Sequence, residues 1–225
     1  MTRPIAILSC LVFLAGCSSP NDPHPDTSAE GWTDLFKADL SDAQDPKGVW
    51  SISEGVITAS EDFNIWSPQA YDNFILDLEF KTAEGTNSGV VVYCSDIENW
   101  IPNSVEIQIA DDYSKQWSEA PPTWQCGAAF GRLAASERRV KNPGEWNRYT
   151  IVAQDKIIEV ILNGALVTRL DMSRWTSATK NPDGSDIPSW LNKPLTELPT
   201  QGHIGFQGKH AGAPIYFRNI RVKEL

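Results

Sequence analysis

The sequence predicts an all-β protein, a jelly-roll sandwich of two antiparallel sheets, and three observations carry that reading. Short runs of alternating apolar and polar residues recur along the chain, each is bounded by turn residues, and no stretch keeps a long amphipathic helical period. Two packed antiparallel sheets bury such strands most economically. Strands are expected at 49–52, 56–59, 74–82, 88–94, 105–109, 149–153, 157–162, 166–170, 204–207 and 215–222. Ser53-Glu54-Gly55, Glu84-Gly85-Thr86-Asn87 and Asn163-Gly164-Ala165 are hairpin turn signals, because glycine and asparagine tolerate positive φ.

The first residues set the expected compartment. Arg3 gives a minimal positive region, 5–14 an apolar run, and Leu14-Ala15-Gly16-Cys17 the small-residue pattern of a lipoprotein signal. The expectation is a signal peptide over 1–16, a lipidated Cys17, a flexible polar and proline-rich tether over 17–30, and one domain over 31–225. The apolar run is too short to span a bilayer. The protein is thus expected on the bacterial cell envelope, held to the membrane through lipid alone. Ser18 supplies no acidic retention signal, which points to the outer membrane, on its periplasmic face or its surface.

A formal net charge of −10 argues against nucleic acid as a partner, since that would require a basic surface. Of four cysteines, Cys10 leaves with the signal and Cys17 carries lipid. Cys94 and Cys126 remain in the folded part, where an oxidising envelope permits a disulfide if the chain brings them within bridging distance. Nine tryptophans and five tyrosines are a large allowance for one domain; most are expected to pack in the core and sheets, and the few on loops are candidate platforms for sugar rings. The long loop 114–139, with Trp117 and Trp124, is one such place; the insertion 175–200 is expected to be a lid or a surface excursion.

The chemistry is concentrated in two segments. In Val105-Glu106-Ile107-Gln108-Ile109-Ala110-Asp111, alternation turns Glu106 and Gln108 to one sheet face and the aliphatic residues to the core, with Asp111 just past the strand end. Gly208-Lys209-His210-Ala211-Gly212 lifts His210 onto the glycine-rich loop of the closing hairpin. Asn87 opens the strand expected to pair with 105–109, and Lys141 precedes the turn Pro143-Gly144-Glu145-Trp146.

Six segments, Gly31-Trp32-Thr33-Asp34-Leu35-Phe36, Asn87-Ser88-Gly89-Val90, Glu106-Ile107-Gln108-Ile109, Pro143-Gly144-Glu145-Trp146-Asn147, Leu162-Asn163-Gly164 and the closing Phe217 to Leu225, together resemble the ordered landmarks of the bacterial 3-keto-disaccharide hydrolase family, also described as 3-keto-glucoside 1,2-lyase and 3-keto-2-hydroxy-glucal hydratase domains. The resemblance implies a concanavalin A-like jelly roll acting on a carbohydrate whose glucose ring carries a ketone at carbon 3. The ketone acidifies the proton on carbon 2, so a base can remove it and the group at carbon 1 leaves by elimination; water can then add. On this reading His210, Glu106 and Asp111 are the catalytic candidates, with Glu106 and Asp111 alternatively holding a divalent cation. Gln108, Asn87, Lys141 and Trp124 are the candidates for binding the substrate.

Two other readings stay open. Glu106-x-Gln108-x-x-Asp111 has the spacing of the Glu-x-Asp-x-x-Glu strand of retaining jelly-roll glucanases, with two positions altered. A lectin-like module would use the aromatic loops and catalyse nothing.

Overall fold

A computed structural model describes residues 22–225; the expected signal and Cys17 lie outside the described residues. Among the described residues, twelve strands in two antiparallel sheets sandwich the main apolar core, and the fold is the jelly roll that the sequence predicts. The large sheet runs β10 (Ala165–Asp171), β9 (Ile157–Leu162), β8 (Trp146–Gln154), β5 (Phe74–Thr82), β12 (Ile215–Glu224), β3 (Val56–Ala59), β2 (Trp50–Ser53), with β1 (Thr33–Asp34) also on β12. The small sheet runs β4 (Ile65–Tyr71), β11 (Gly202–Phe206), β6 (Asn87–Cys94), β7 (Val105–Ala110).

Alternation builds the core as expected. Phe74, Leu76, Leu78 and Phe80 of β5 face inward with Tyr149, Ile151 and Ala153 of β8, and meet Val90, Val92, Ile107 and Ile109 from the small sheet. Two-residue turns at Glu54-Gly55 and Asn163-Gly164 have positive φ at both positions, the twist that joins adjacent strands most tightly. Where a strand breaks its alternation, a bulge resets it. Asn219 has φ 51° and the β12–β5 register shifts between Arg218 and Arg221, so Phe217 and Ile220, three apart, both reach the core. Arg218 and Asn219 accordingly lie outside, where both donate to Glu79.

Strand β4 is absent from the sequence expectation. Pro68 interrupts its pattern, and the register against β11 shifts between His203 and Gly205; proline is accommodated here on an edge strand at an irregularity.

The expected flexible tether is also different where the structure describes it. Residues 22–30 lie on the outer face of the large sheet. His24 Nδ1 donates to Thr150 Oγ1 at 2.8 Å, and its Nε2 accepts from the Gly164 N–H at 2.9 Å. Thr150 in turn donates to Asp77, Asp77 pairs with Arg148 at 3.0 Å, and Arg148 donates to Pro25 O. Burial holds the His24 imidazole down at about 4, so it is neutral and structural. Composition reads this segment as solvated because the partners that fix it are far away in sequence.

Candidate functional site

The outer face of the small sheet carries the site. On β6 and β7 the residues that alternate away from the core are Asn87, Gly89 and Val91, and Glu106 and Gln108; the two strands pair with Gly89 opposite Gln108 and Val91 opposite Glu106. The Glu106 side chain lies back across Gly89, where a Cβ would stand 2.3 Å from Glu106 Oε1 and 2.7 Å from its Cγ. Glycine is therefore required at position 89 for Glu106 to rest flat on the sheet.

Loops build walls around this floor. Residues 127–130 run along the free edge of β7: Gln108 N donates to Ala128 O, Gly127 N to Gln108 O and Phe130 N to Glu106 O. That run anchors the loop bearing α1 (Lys115–Ser118) and the 3₁₀ turn Pro122–Trp124, so Trp117, Trp124 and Phe130 stand over the floor. The 175–200 insertion is pinned by Arg132, which donates to Leu191 O and Lys193 O, and by Leu191 and Leu195 packed into the core. At its tip Trp190, 48% exposed, meets Trp124 edge to face at 6.1 Å. Trp100 and Ile101 close the opposite side of a cavity of about 330 Å³.

Five of the sequence candidates, Glu106, Gln108, Asn87, His210 and Trp124, line this one cavity, together with Gln207. Gln108 is 1% exposed; its Nε2 donates to Asn87 Oδ1 at 2.8 Å, which fixes both amides. Asn87 is left with its NH₂ to offer, and Gln108 with its carbonyl oxygen. Gln108 Oε1 and Gln207 Oε1 are buried without a hydrogen-bond partner, two acceptors for which the protein supplies no donor. Burial, then the charge of Asp62, pushes the Glu106 carboxyl up to about 8.

Asp62, like Gln207, is a site residue that sequence reasoning misses. His210 Nδ1 lies 2.6 Å from Asp62 Oδ2, at a rim where both side chains are about half exposed. The contact depends on Gly208, where a Cβ would come within 2.4 Å of Glu61 O and 2.7 Å of Phe63 O. Glycine there lets the 60–64 loop sit against the hairpin and brings Asp62 to His210. In sequence, Ser60-Glu61-Asp62 reads as a plain polar turn, and the contact spans 148 residues.

Two candidates are placed elsewhere. Asp111 is 2% exposed and turned into the fold, where its carboxylate accepts from Gly85 N at 2.9 Å and Tyr113 N at 3.1 Å; it fastens the β5–β6 turn to the end of β7. It therefore cannot join Glu106 around a divalent cation, and among the described residues no group of three or more His, Cys, Asp or Glu is arranged to hold a metal ion. Lys141 donates to Trp146 O at 2.9 Å and lines a separate groove with His24 and Arg148 on the outer face of the large sheet. The disulfide that the sequence left open between Cys94 and Cys126 is not formed. Cys126 sits in the core at 3.2 Å from Tyr149 Oη, whereas Cys94 packs with Trp66 and Val91 on the other face of the small sheet. Tyr93, with φ 55°, causes this: it breaks the β6 alternation, so Tyr93 fills the core and Cys94 turns outward.

A candidate glycosyl hydrolase from Parabacteroides distasonis superposes on the chain with a TM-score of 0.84 at 56% identity, covering 86% of this chain and 99% of its own. A second from the same organism, at 24% identity, covers 91% and 99% with a TM-score of 0.71, and shares the fold. No curated protein matches the chain. The profile of the 3-keto-alpha-glucoside-1,2-lyase-like domain matches residues 26–223, nearly all that the structure describes. The aromatic, amide-lined cavity over a sandwich is thus that of a carbohydrate-acting domain, and the chain belongs to the 3-keto-alpha-glucoside-1,2-lyase-like, or 3-keto-disaccharide hydrolase, family.

Proposed function

We propose that the protein cleaves glycosides whose glucose ring carries a ketone at carbon 3, by elimination across carbons 2 and 1, and that it does so on the bacterial envelope. The observation that carries this reading is Glu106, a single carboxyl laid over Gly89 on an aromatic-walled floor and pushed up to about 8. Desolvation makes its ionised form a stronger base than an ordinary carboxylate, which suits abstraction of a proton beside a carbonyl. The carbon 2–hydrogen bond breaks toward Glu106, and its electrons pass into an enolate at the carbon 3 oxygen. The Asn87 NH₂ is the donor placed to hold that oxygen. The enolate then re-forms a ketone and a carbon 1–carbon 2 double bond as the carbon 1–oxygen bond breaks.

The leaving oxygen takes a proton from His210. Nδ1 is engaged by the Asp62 carboxylate, which leaves Nε2–H as the acid. Gln108 Oε1 and Gln207 Oε1, unpartnered in the protein, receive ring hydroxyls, and the tryptophans cover the apolar ring faces. Addition of water across the new double bond would complete a net hydrolysis. A retaining glucanase instead needs two carboxyl groups roughly 5–5.5 Å apart flanking the bond; position 108 is an amide and Asp111 points into the fold, which disfavours that reading.

The test is to supply a 3-keto-glucoside and its unoxidised parent, following glucal absorbance and released reducing sugar. Product from the oxidised compound alone is expected. Release from the unoxidised parent would indicate ordinary hydrolysis, and saturable binding without product would indicate a binding module. Full turnover by both Glu106→Gln and His210→Ala would show that the chemistry lies elsewhere.

A further inference from the structure

A second cavity, of about 370 Å³, adjoins the first, and four residues, Trp100, Ile101, Gln207 and His210, line both. His210 therefore stands on the saddle between two compartments rather than at the end of one. The second compartment has its own recognition groups. Asn64 Nδ2 is buried without a hydrogen-bond partner, a donor that complements the orphaned acceptor Gln207 Oε1 on the shared wall. Phe63, 40% exposed, and Trp100, packed edge to face on Trp66 at 6.2 Å, give it apolar surface. Its lining carboxylates are Asp62 and Glu98; among the described residues lining it there is no lysine or arginine, and the nearby Lys47 ammonium is engaged over the Phe63 ring at 5.3 Å.

We propose that this second compartment is the leaving-group site, that it takes an uncharged polyhydroxylated ring, and that Asn64 and Phe63 determine its specificity. The inference rests on the elimination reading above: if the oxidised ring lies over Glu106 and Gln108, the bond that breaks crosses the saddle at His210, and the expelled group must occupy the space beyond. An unpartnered buried donor and acceptor call for a ligand with both polarities, which a sugar hydroxyl has and a hydrocarbon lacks. Asp62 and Glu98 disfavour a phosphorylated or carboxylated group.

The experiment compares 3-keto-glucosides whose leaving groups are glucose, methanol and glucose 6-phosphate, with the wild type and the Asn64→Ala and Phe63→Ala variants. Intrinsic leaving-group reactivity cancels when each variant's glucose-to-methanol ratio of kcat/KM is divided by that of the wild type. That quotient is expected to fall about tenfold, and the wild type to process the phosphorylated compound at least about fivefold more slowly than the glucose one. A quotient near one in both variants, or equal rates on the neutral and phosphorylated compounds, overturns the assignment while leaving elimination standing. Failure to turn over any oxidised glycoside overturns elimination and this inference with it.

Discussion

Glu106 gives a prediction that does not depend on knowing the substrate. In the folded protein, burial and then the charge of Asp62 push its carboxyl from the ordinary 4.5 to about 8. The unfolded chain restores the ordinary value. A carboxyl with a raised folded pKa contributes stability that is complete below 4.5 and is lost as pH rises through about 8, because across that window the folded state holds a proton that the unfolded state has released. The interval between 4.5 and about 8, at about 1.4 kcal/mol per pH unit, sets an upper bound of roughly 5 kcal/mol on the loss. Glutamine at 106 keeps the shape and never ionises.

Urea unfolding of the wild type and Glu106→Gln at pH 4.5, 7 and 9 measures this contribution directly. Asp112, which burial raises to about 6, and Asp77, also raised, tilt both curves alike and cancel in the difference. The stability of the wild type relative to the variant should therefore fall by several kcal/mol between pH 4.5 and 9. Parallel curves would mean that Glu106 ionises as a solvated carboxylate does, and the argument for it as a desolvated base would be lost.

Three further outcomes follow from the same geometry. In wild-type turnover of a 3-keto-glucoside whose leaving group is a nitrophenolate, which needs no proton from His210, kcat/KM should rise with pH through about 8 as Glu106 ionises; Asp62→Asn, which removes a charge that raises Glu106, should move that limb to lower pH, and an unmoved limb would deny the coupling. Gly89→Ala places a Cβ 2.3 Å from Glu106 Oε1 at a position without positive φ, so activity should fall at least about 100-fold while circular dichroism keeps the β spectrum; near-normal activity would show that Glu106 need not lie on that glycine. Trp190→Ala removes a half-exposed platform, and calorimetric titration should show sugar binding about tenfold weaker with Tm displaced by a few degrees at most; unaltered affinity would remove Trp190 from the site.

The sandwich was legible because its signal is local. Period-two alternation and two-residue turns such as Asn163-Gly164 need no distant partner to be recognised, and those strands formed where the pattern lies. What was not legible depended on distance or on an irregularity. Strand β4 is hidden by Pro68, and the outward turn of Cys94 depends on the left-handed conformation of Tyr93. Asp111 sits at the right spacing, yet the chain bends after Ala110 so that its carboxylate ties down the Gly85 turn. Lys141 is a substrate-binding candidate by sequence, but its ammonium donates to Trp146 O on the other sheet. Asp62 could be found only by knowing what the His210 loop folds against.

The two glycines connect these cases. Gly89 and Gly208 have ordinary backbone angles, so neither is explained by a turn. Each instead leaves out a side chain exactly where a neighbouring segment must come close: Glu106 over Gly89, and the Glu61–Phe63 backbone over Gly208. Asn87-Ser88-Gly89 and Glu106-Ile107-Gln108 are therefore one structural unit, with the amide–amide bond at one end and the carboxyl resting on glycine at the other. Gly208 builds the facing unit by admitting Asp62 to His210. A half-buried floor carboxyl pushed up by desolvation and an exposed rim imidazole facing a carboxylate are different environments, as the proposed elimination requires of its base and its acid.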